Sequence, residues 1–378
     1  MRLAREQFPV LTECVYLNSC STGASPSKMK ECLERHWDVL ARFRDELWEG
    51  WLSELSAFVT SLEDLLGAPA GSVVTDVNSS SLLSRFLTSI DFSGERCRIV
   101  TTSLDFPNIE FIARAFRRFG AQVVVVEPEP GSGRIDEDLL AAAMDERTAV
   151  VCTSHATFST GALLDVGAVV RRAREVGAMV AVDAYQSVGI VPVNVQAMDV
   201  DVLVGGAKKW LCGAADLGFM YVRPELVHVL EPVATGWFAG KEPMTFAPQE
   251  QFAEGARRFA SGTPAILPAL LSRAGLDVVR YVGVDDIRGA SLSMTDRIFE
   301  WADRLGLGAR TPREHSRRGG AVVLTFPGDG AATRELLRRS FIVSYRGGLR
   351  ISPHFYNTED EIEELMEELS KILRLERR

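Results

Sequence analysis

Paired cysteines, clustered histidines, long apolar runs and lysines are what this 378-residue chain has little of. Its six cysteines (Cys14, Cys20, Cys32, Cys97, Cys152, Cys212) form no Cys-x-x-Cys, and its five histidines show no His-x-x-x-His. Neither a disulfide framework nor a zinc site is therefore expected. No apolar stretch approaches the ~18 residues of a membrane span, and none follows the charged N-terminal residues. A soluble, cytoplasmic protein with no membrane partner is the expectation. No Gly-x-Gly-x-x-Gly follows the first strand-like run, which weakens a reading as a nicotinamide-dependent oxidoreductase. Basic residues are in deficit, 42 against 51 acidic, for a net charge of −9. Such a field repels nucleic acid and favours a small-molecule partner. Only six of the basic residues are lysine, so the adjacent pair Lys208-Lys209, set among apolar residues, stands out.

With 46% hydrophobic and 25% charged residues, the chain has the makeup of an ordinary globular protein. Its length allows one large domain and one smaller. From Pro26 to about Leu66, Trp37, Leu40, Phe43, Leu47, Trp51 and Leu55 recur at helical spacing, predicting one long helix or two in line. From Ser72, strand-like runs at 73–75, 98–101, 122–126, 149–154, 179–183, 200–204 and 217–222 alternate with helical segments. Strands apolar on both faces, separated by helices, imply βαβ units and a mostly parallel sheet covered on each side. After about residue 265 the rhythm changes to helices near 268–281, 298–305, 332–340 and 360–375, with strands at 321–326, 342–345 and 349–352. The expected organisation is an N-terminal segment (1–24), a large α/β domain (25–270) and a small C-terminal α+β domain (271–378).

Asp183 ends the apolar run Met179-Val180-Ala181-Val182, where open α/β sheets place their ligand crevices; a helix N-cap is the plainer use of such an acid. Lys209 follows a strand and two glycines and precedes Trp210-Leu211. A desolvated amine there has a lowered pKa and attacks carbonyls, making Lys209 a Schiff-base candidate, against the plainer reading of two surface lysines. The serines of Val77-Asn78-Ser79-Ser80-Ser81, between a strand and a helix, are either an anion cradle or a simple N-cap.

Together, Asp183-x-x-Gln186-Ser187-x-Gly189, the glycine-rich turn into Lys209-Trp210-Leu211, and Gly218-Phe219-x-Tyr221-Val222 resemble the class V aminotransferase family of pyridoxal 5′-phosphate (PLP) enzymes, of fold type I. The likeness runs from about Tyr16 to the C-terminus. It implies a large domain with a mostly parallel seven-stranded sheet plus a small domain. It implies that Lys209 carries the cofactor, Asp183 pairs with its pyridinium nitrogen, and Gln186 contacts its phenolic oxygen. Ser79, Ser80 and Lys208 match phosphate-binding positions, and Phe106 the ring-stacking position. Thr157 matches a side chain facing the cofactor. Thr263, in Gly262-Thr263-Pro264, matches a threonine that reaches the neighbouring subunit's phosphate, implying a homodimer with shared sites. Arg350, in Arg350-Ile351-Ser352-Pro353-His354-Phe355-Tyr356-Asn357-Thr358, matches the guanidinium that holds a substrate carboxylate, and Asn18, in a segment that folds over the site, is implied as a second substrate contact.

Gly206 and Lys208 depart from the serine and histidine many relatives use there. The stretch 340–348 lacks the nucleophilic cysteine of desulfurases, which disfavours cysteine desulfuration. The resemblance implies an enzyme acting at the α-carbon of an amino acid or amino-acid conjugate, as a lyase performing C–S β-elimination or as an aminotransferase. An epimerase or racemase of the same family, and a non-catalytic PLP-fold binding protein, are the alternatives.

Overall fold

The computed structural model describes residues 2–42 and 47–376, and Phe43, one of the residues behind the first helical prediction, lies outside them. The strands in chain order are β1 (Val15–Tyr16), β2 (Val73–Asp76), β3 (Arg98–Thr102), β4 (Gln122–Val126), β5 (Thr148–Ser154), β6 (Met179–Asp183) and β7 (Val202–Gly206). There follow β8 (Gly218–Val222), β9 (Gly308–Ala309), β10 (Val322–Thr325), β11 (Phe341–Ile342), β12 (Ser344–Tyr345) and β13 (Leu349–Ile351).

Seven of them form one sheet in the order β2-β8-β7-β6-β5-β3-β4. All pairs from β7 to β4 are parallel, and β8 alone runs against its neighbours. The alternation of side chains along a strand explains why these runs are apolar throughout. Val180 and Val182 enter a core on one face with Val100, Val151 and Leu203, while Ala181 enters the other with Ile99, Val150, Val202 and Met220. Both faces are covered, and the parallel strands send their C-terminal ends to one edge.

The segment from Pro26 to Leu66 is two helices, Lys28–Ala41 and Leu47–Leu66, that pack on helix Ile266–Val282. Part of the predicted apolar stripe faces outward, Trp37 being 66% exposed. Helix Ile266–Val282 buries Ala269, Leu276 and Val279 in the large core. We therefore place the division between the two units at Gly283, where that helix ends, rather than near residue 270.

A second sheet, β12-β13-β10-β9, is antiparallel and shares a core with helices Val284–Leu305, Asp329–Arg338 and Glu359–Glu376. The first of these starts fourteen residues earlier than its apolar spacing predicts, because buried Ser291 and Thr295 stand on its inner face. Thr295 returns its hydroxyl proton to the Ser291 carbonyl at 2.8 Å, so the polar group needs no other partner. Glu359–Glu376 opens with a capping box: the Glu361 amide donates to Thr358 Oγ1 and the Thr358 amide to Glu361 Oε2.

The N-terminal segment is tied to this second unit. β1 pairs in parallel with β11. Asn357 Nδ2 donates to the Tyr16 carbonyl at 3.0 Å, Ser352 Oγ to the Leu17 carbonyl at 3.0 Å, and Arg5 pairs with Glu361 at 2.7 Å. Tyr356, fully buried, places its hydroxyl 2.6 Å from Ser19 Oγ and accepts from the Ala24 amide.

Candidate active site

The C-terminal ends of β2, β3, β5, β6 and β7 open onto a cleft of about 320 Å³, as the crevice rule for open α/β sheets predicts. Its floor is Asp183, the last residue of β6, beside Lys209 from the turn after β7. Gly23 allows the N-terminal segment to lie directly on that turn: its amide donates to the Lys208 carbonyl at 2.7 Å, and a Cβ there would strike the Lys209 carbonyl. Cys20 and Ser21 of the same segment thereby wall the cleft.

Burial sets the electrostatics. Loss of water pulls the Lys209 ammonium down to about 8, opposed by the Asp183 carboxylate and reinforced by the Arg350 and Lys208 charges. Burial likewise pushes Asp183 up to about 6, while the Tyr185 amide, donating at 2.8 Å, and Lys209 act the other way. Asp105 adds to the upward push. It is itself held by the Thr102 and Ser154 amides at 2.9 and 2.6 Å, which pins the turn carrying Phe106 to the end of β5.

Lys209 Nζ stands 4.3 Å from the Tyr185 ring centroid and 5.8 Å from that of Phe106, which meets Phe158 edge-on at 5.1 Å. Gln186 is fixed at both ends of its amide, donating to the Cys20 carbonyl at 2.9 Å and accepting from Trp210 Nε1 at 3.2 Å. His354 Nε2 lies 2.8 Å from the Trp210 carbonyl, so the C-terminal block steadies the lysine turn from below.

At one end of the cleft, Asn78 caps helix Ser79–Leu87 by accepting from the Ser81 amide at 2.8 Å. The Ser79 and Ser80 amides, without intrahelical partners, border the cleft. Asp76 at the end of β2 clamps this helix through Arg85 at 2.6 Å, both side chains being buried. At the other end Arg350, 3% exposed, donates to the Phe158 carbonyl at 2.9 Å and to Ser344 Oγ at 3.1 Å. Among the described residues it has no acidic partner within 4.0 Å. Arg346 adds a further cation at the rim. Four cationic side chains thus face one carboxylate in a chain of net charge −9, an arrangement suited to an anionic ligand.

Of the residues singled out from sequence, Ser79, Ser80, Phe106, Asp183, Gln186, Lys208, Lys209 and Arg350 converge on this cleft. Three do not line it. Thr157 spends its hydroxyl inside its own turn, 2.6 Å from Thr160 Oγ1 and accepting from the Ala162 amide at 3.0 Å, so its neighbours Ala156 and Phe158 face the cleft instead. Asn18 turns the chain, its carbonyl accepting from the Ser21 and Thr22 amides, and leaves its buried Oδ1 unpartnered short of the cleft. Thr263 lies in a separate depression with Val74, Phe238 and Pro264. Tyr185 and Arg346, which no sequence motif singles out, also line the cleft. Tyr185 stood in plain view between Asp183 and Gln186, but no spacing rule marks it.

Similarity to known proteins agrees with this geometry. An uncharacterized aminotransferase, YcbU, of Bacillus subtilis strain 168 is 26% identical over 97% of this chain and 96% of its own length. A kynureninase of Pseudomonas fluorescens is 29% identical over 90% of this chain and 84% of its own. Among solved structures, a cysteine desulfurase from Thermococcus onnurineus NA1 superposes with a TM-score of 0.86 at 21% identity, covering 98% and 97% of the two chains. The cystine C-S lyase C-DES, in complex with cysteine persulfide, does so at 0.88 and 21%, covering 96% and 99%; these two establish the shared fold. The family model of the class-V aminotransferases matches residues 88–365, and the chain belongs to that family of PLP-dependent enzymes.

Proposed function

We propose that this chain is a PLP-dependent lyase that eliminates a β-substituent from an amino acid, with Lys209 as its catalytic residue. The observation that carries the reading is a desolvated amine near a carboxyl at adjacent strand ends, in one cleft with a buried guanidinium that, among the described residues, has no acid of its own. The residues present fit the cofactor: an amine for its aldehyde, an acid for its ring nitrogen, helix amides and Lys208 for its phosphate, and Phe106 for its ring face.

When bound, PLP supplies an aldehyde that takes up the substrate amine and a ring that draws electrons from the α-carbon. The chain's residues do the rest. Lys209, lowered to about 8, holds an appreciable neutral fraction near neutrality and carries the proton at the α-carbon. Asp183, raised only to about 6 and so largely a carboxylate near neutrality, would hold the proton on the ring nitrogen and keep that nitrogen charged. Arg350 offers its planar donors to the substrate carboxylate, and Ser344 and the Phe158 carbonyl fix its angle. Gln186, locked by Cys20 and Trp210, would have its remaining N–H for the ring oxygen of the cofactor.

Support for elimination comes from the cystine C–S lyase among the structural neighbours. Desulfuration lacks its acceptor, since residues 340–348 contain no cysteine. The full-length similarity to YcbU favours amino transfer as the second reading. Thr263, turned away from its own cleft, fits a homodimer in which it serves the partner's site.

The test is purified holoenzyme incubated with single amino acids, including cystine, while ammonia, keto acid and sulfide are measured. Elimination releases ammonia and keto acid with no acceptor present. A strict requirement for a keto-acid acceptor supports amino transfer instead. A protein whose visible absorption is absent, or survives Lys209→Ala, overturns the role given to Lys209.

A further inference from the structure

Gly206, the last residue of β7, leaves room beside the cleft that a side chain would otherwise take. A Cβ built there would overlap the Tyr185 ring and its hydroxyl, so the phenol occupies the space that a side chain at 206 would fill. The location is informative. Gly206 stands opposite Gly218 in the β7–β8 register, and Gly218 backs directly onto Asn78 and Ser79, the start of the cleft-facing helix. Tyr185 therefore delivers its hydroxyl to the same end of the cleft as the Ser79 and Ser80 amides, while its ring lies 4.3 Å from Lys209 Nζ. Among the described residues no acceptor meets that hydroxyl. Burial, with the Asp183 and Asp216 carboxylates nearby, pushes the phenol well above its ordinary range, so it stays a donor at every working pH.

We propose that the Tyr185 hydroxyl replaces the side chain missing at Gly206 and donates a hydrogen bond to the phosphate of the bound cofactor. The inference rests on the cofactor assignment above and extends it to a residue that spacing did not mark. Position 185 and position 206 then form a reciprocal pair: one carries the donor, and the other must be glycine to admit it.

Four variants test this: Y185F, Y185A, G206S and the double variant Y185A/G206S. Each apoprotein is titrated with PLP, the dissociation constant is read from the visible absorption, and the ³¹P resonance of the bound phosphate is recorded. Y185F keeps the ring and loses one donor to a charged group, so affinity is expected to fall about tenfold with a displaced ³¹P signal. Y185A loses at least as much, and adding G206S to it returns most of the affinity, because a serine hydroxyl then has the vacated space. G206S alone binds worse than wild type, since two side chains contend for one volume. Wild-type affinity and an unmoved ³¹P signal in Y185F overturn the proposal, as does a double variant no better than Y185A. Those results leave the cofactor reading intact. It fails separately, if wild-type protein develops no visible absorption with PLP.

Discussion

Replacing Lys209 by methionine is expected to stabilise the apoprotein at neutral pH while abolishing covalent cofactor attachment. Methionine fills nearly the same length without a charge to desolvate. The ammonium is held down from 10.5 to about 8 by burial, and at about 1.4 kcal/mol per tenfold change this corresponds to about 3 kcal/mol of cost to the folded state. Water in the cleft screens part of it, leaving a gain of about 1–3 kcal/mol for Lys209→Met. The sign follows from proton counting. Below pH 8 both folded and unfolded chains carry the charge and wild type pays the full cost. Between about 8 and 10.5 the folded chain has lost the proton that the unfolded one keeps, so wild-type stability climbs with pH. The advantage of the variant therefore shrinks across that window and vanishes above it. Urea unfolding of both apoproteins at pH 6.5, 8 and 10 measures the difference. A variant no more stable than wild type at pH 6.5, or a gap that does not narrow towards pH 10, refutes the claim that Lys209 is kept short of water.

Two further perturbations probe other parts of the cleft. Arg350→Lys keeps the charge but loses the planar fork, and is expected to raise KM for amino acids about 10- to 100-fold; equal KM values in the two proteins would remove Arg350 from carboxylate recognition. Tyr356→Phe strands the buried Ser19 hydroxyl and the Ala24 amide, which should cost about 1–3 kcal/mol in thermal or urea unfolding and, by loosening the segment that carries Cys20, weaken cofactor retention. Unfolding and cofactor affinity both at wild-type values would show that this latch does not steady the site.

What the sequence alone determined is local. Apolar runs with strand periodicity, an acid at the end of one of them, and a scarce lysine after a pair of glycines are each properties of a few neighbouring residues, and they located β6, β7, Asp183 and Lys209. The helix start at Ser79 and Ser80 was readable for the same reason, since an N-cap and the amides behind it are set within one turn of helix. Tertiary structure decided whatever depends on backbones distant in sequence. It turned the Thr157 hydroxyl inward on Thr160, because a hydrogen bond closing that turn was within reach. It divided the single strand expected at 342–345 into β11 and β12, which serve different sheets. It set the Tyr185 ring in the gap at Gly206, 21 residues away, where steric fit rather than spacing links the two positions. Periodicity reports which face a residue takes on its own element, and only packing reports what stands opposite.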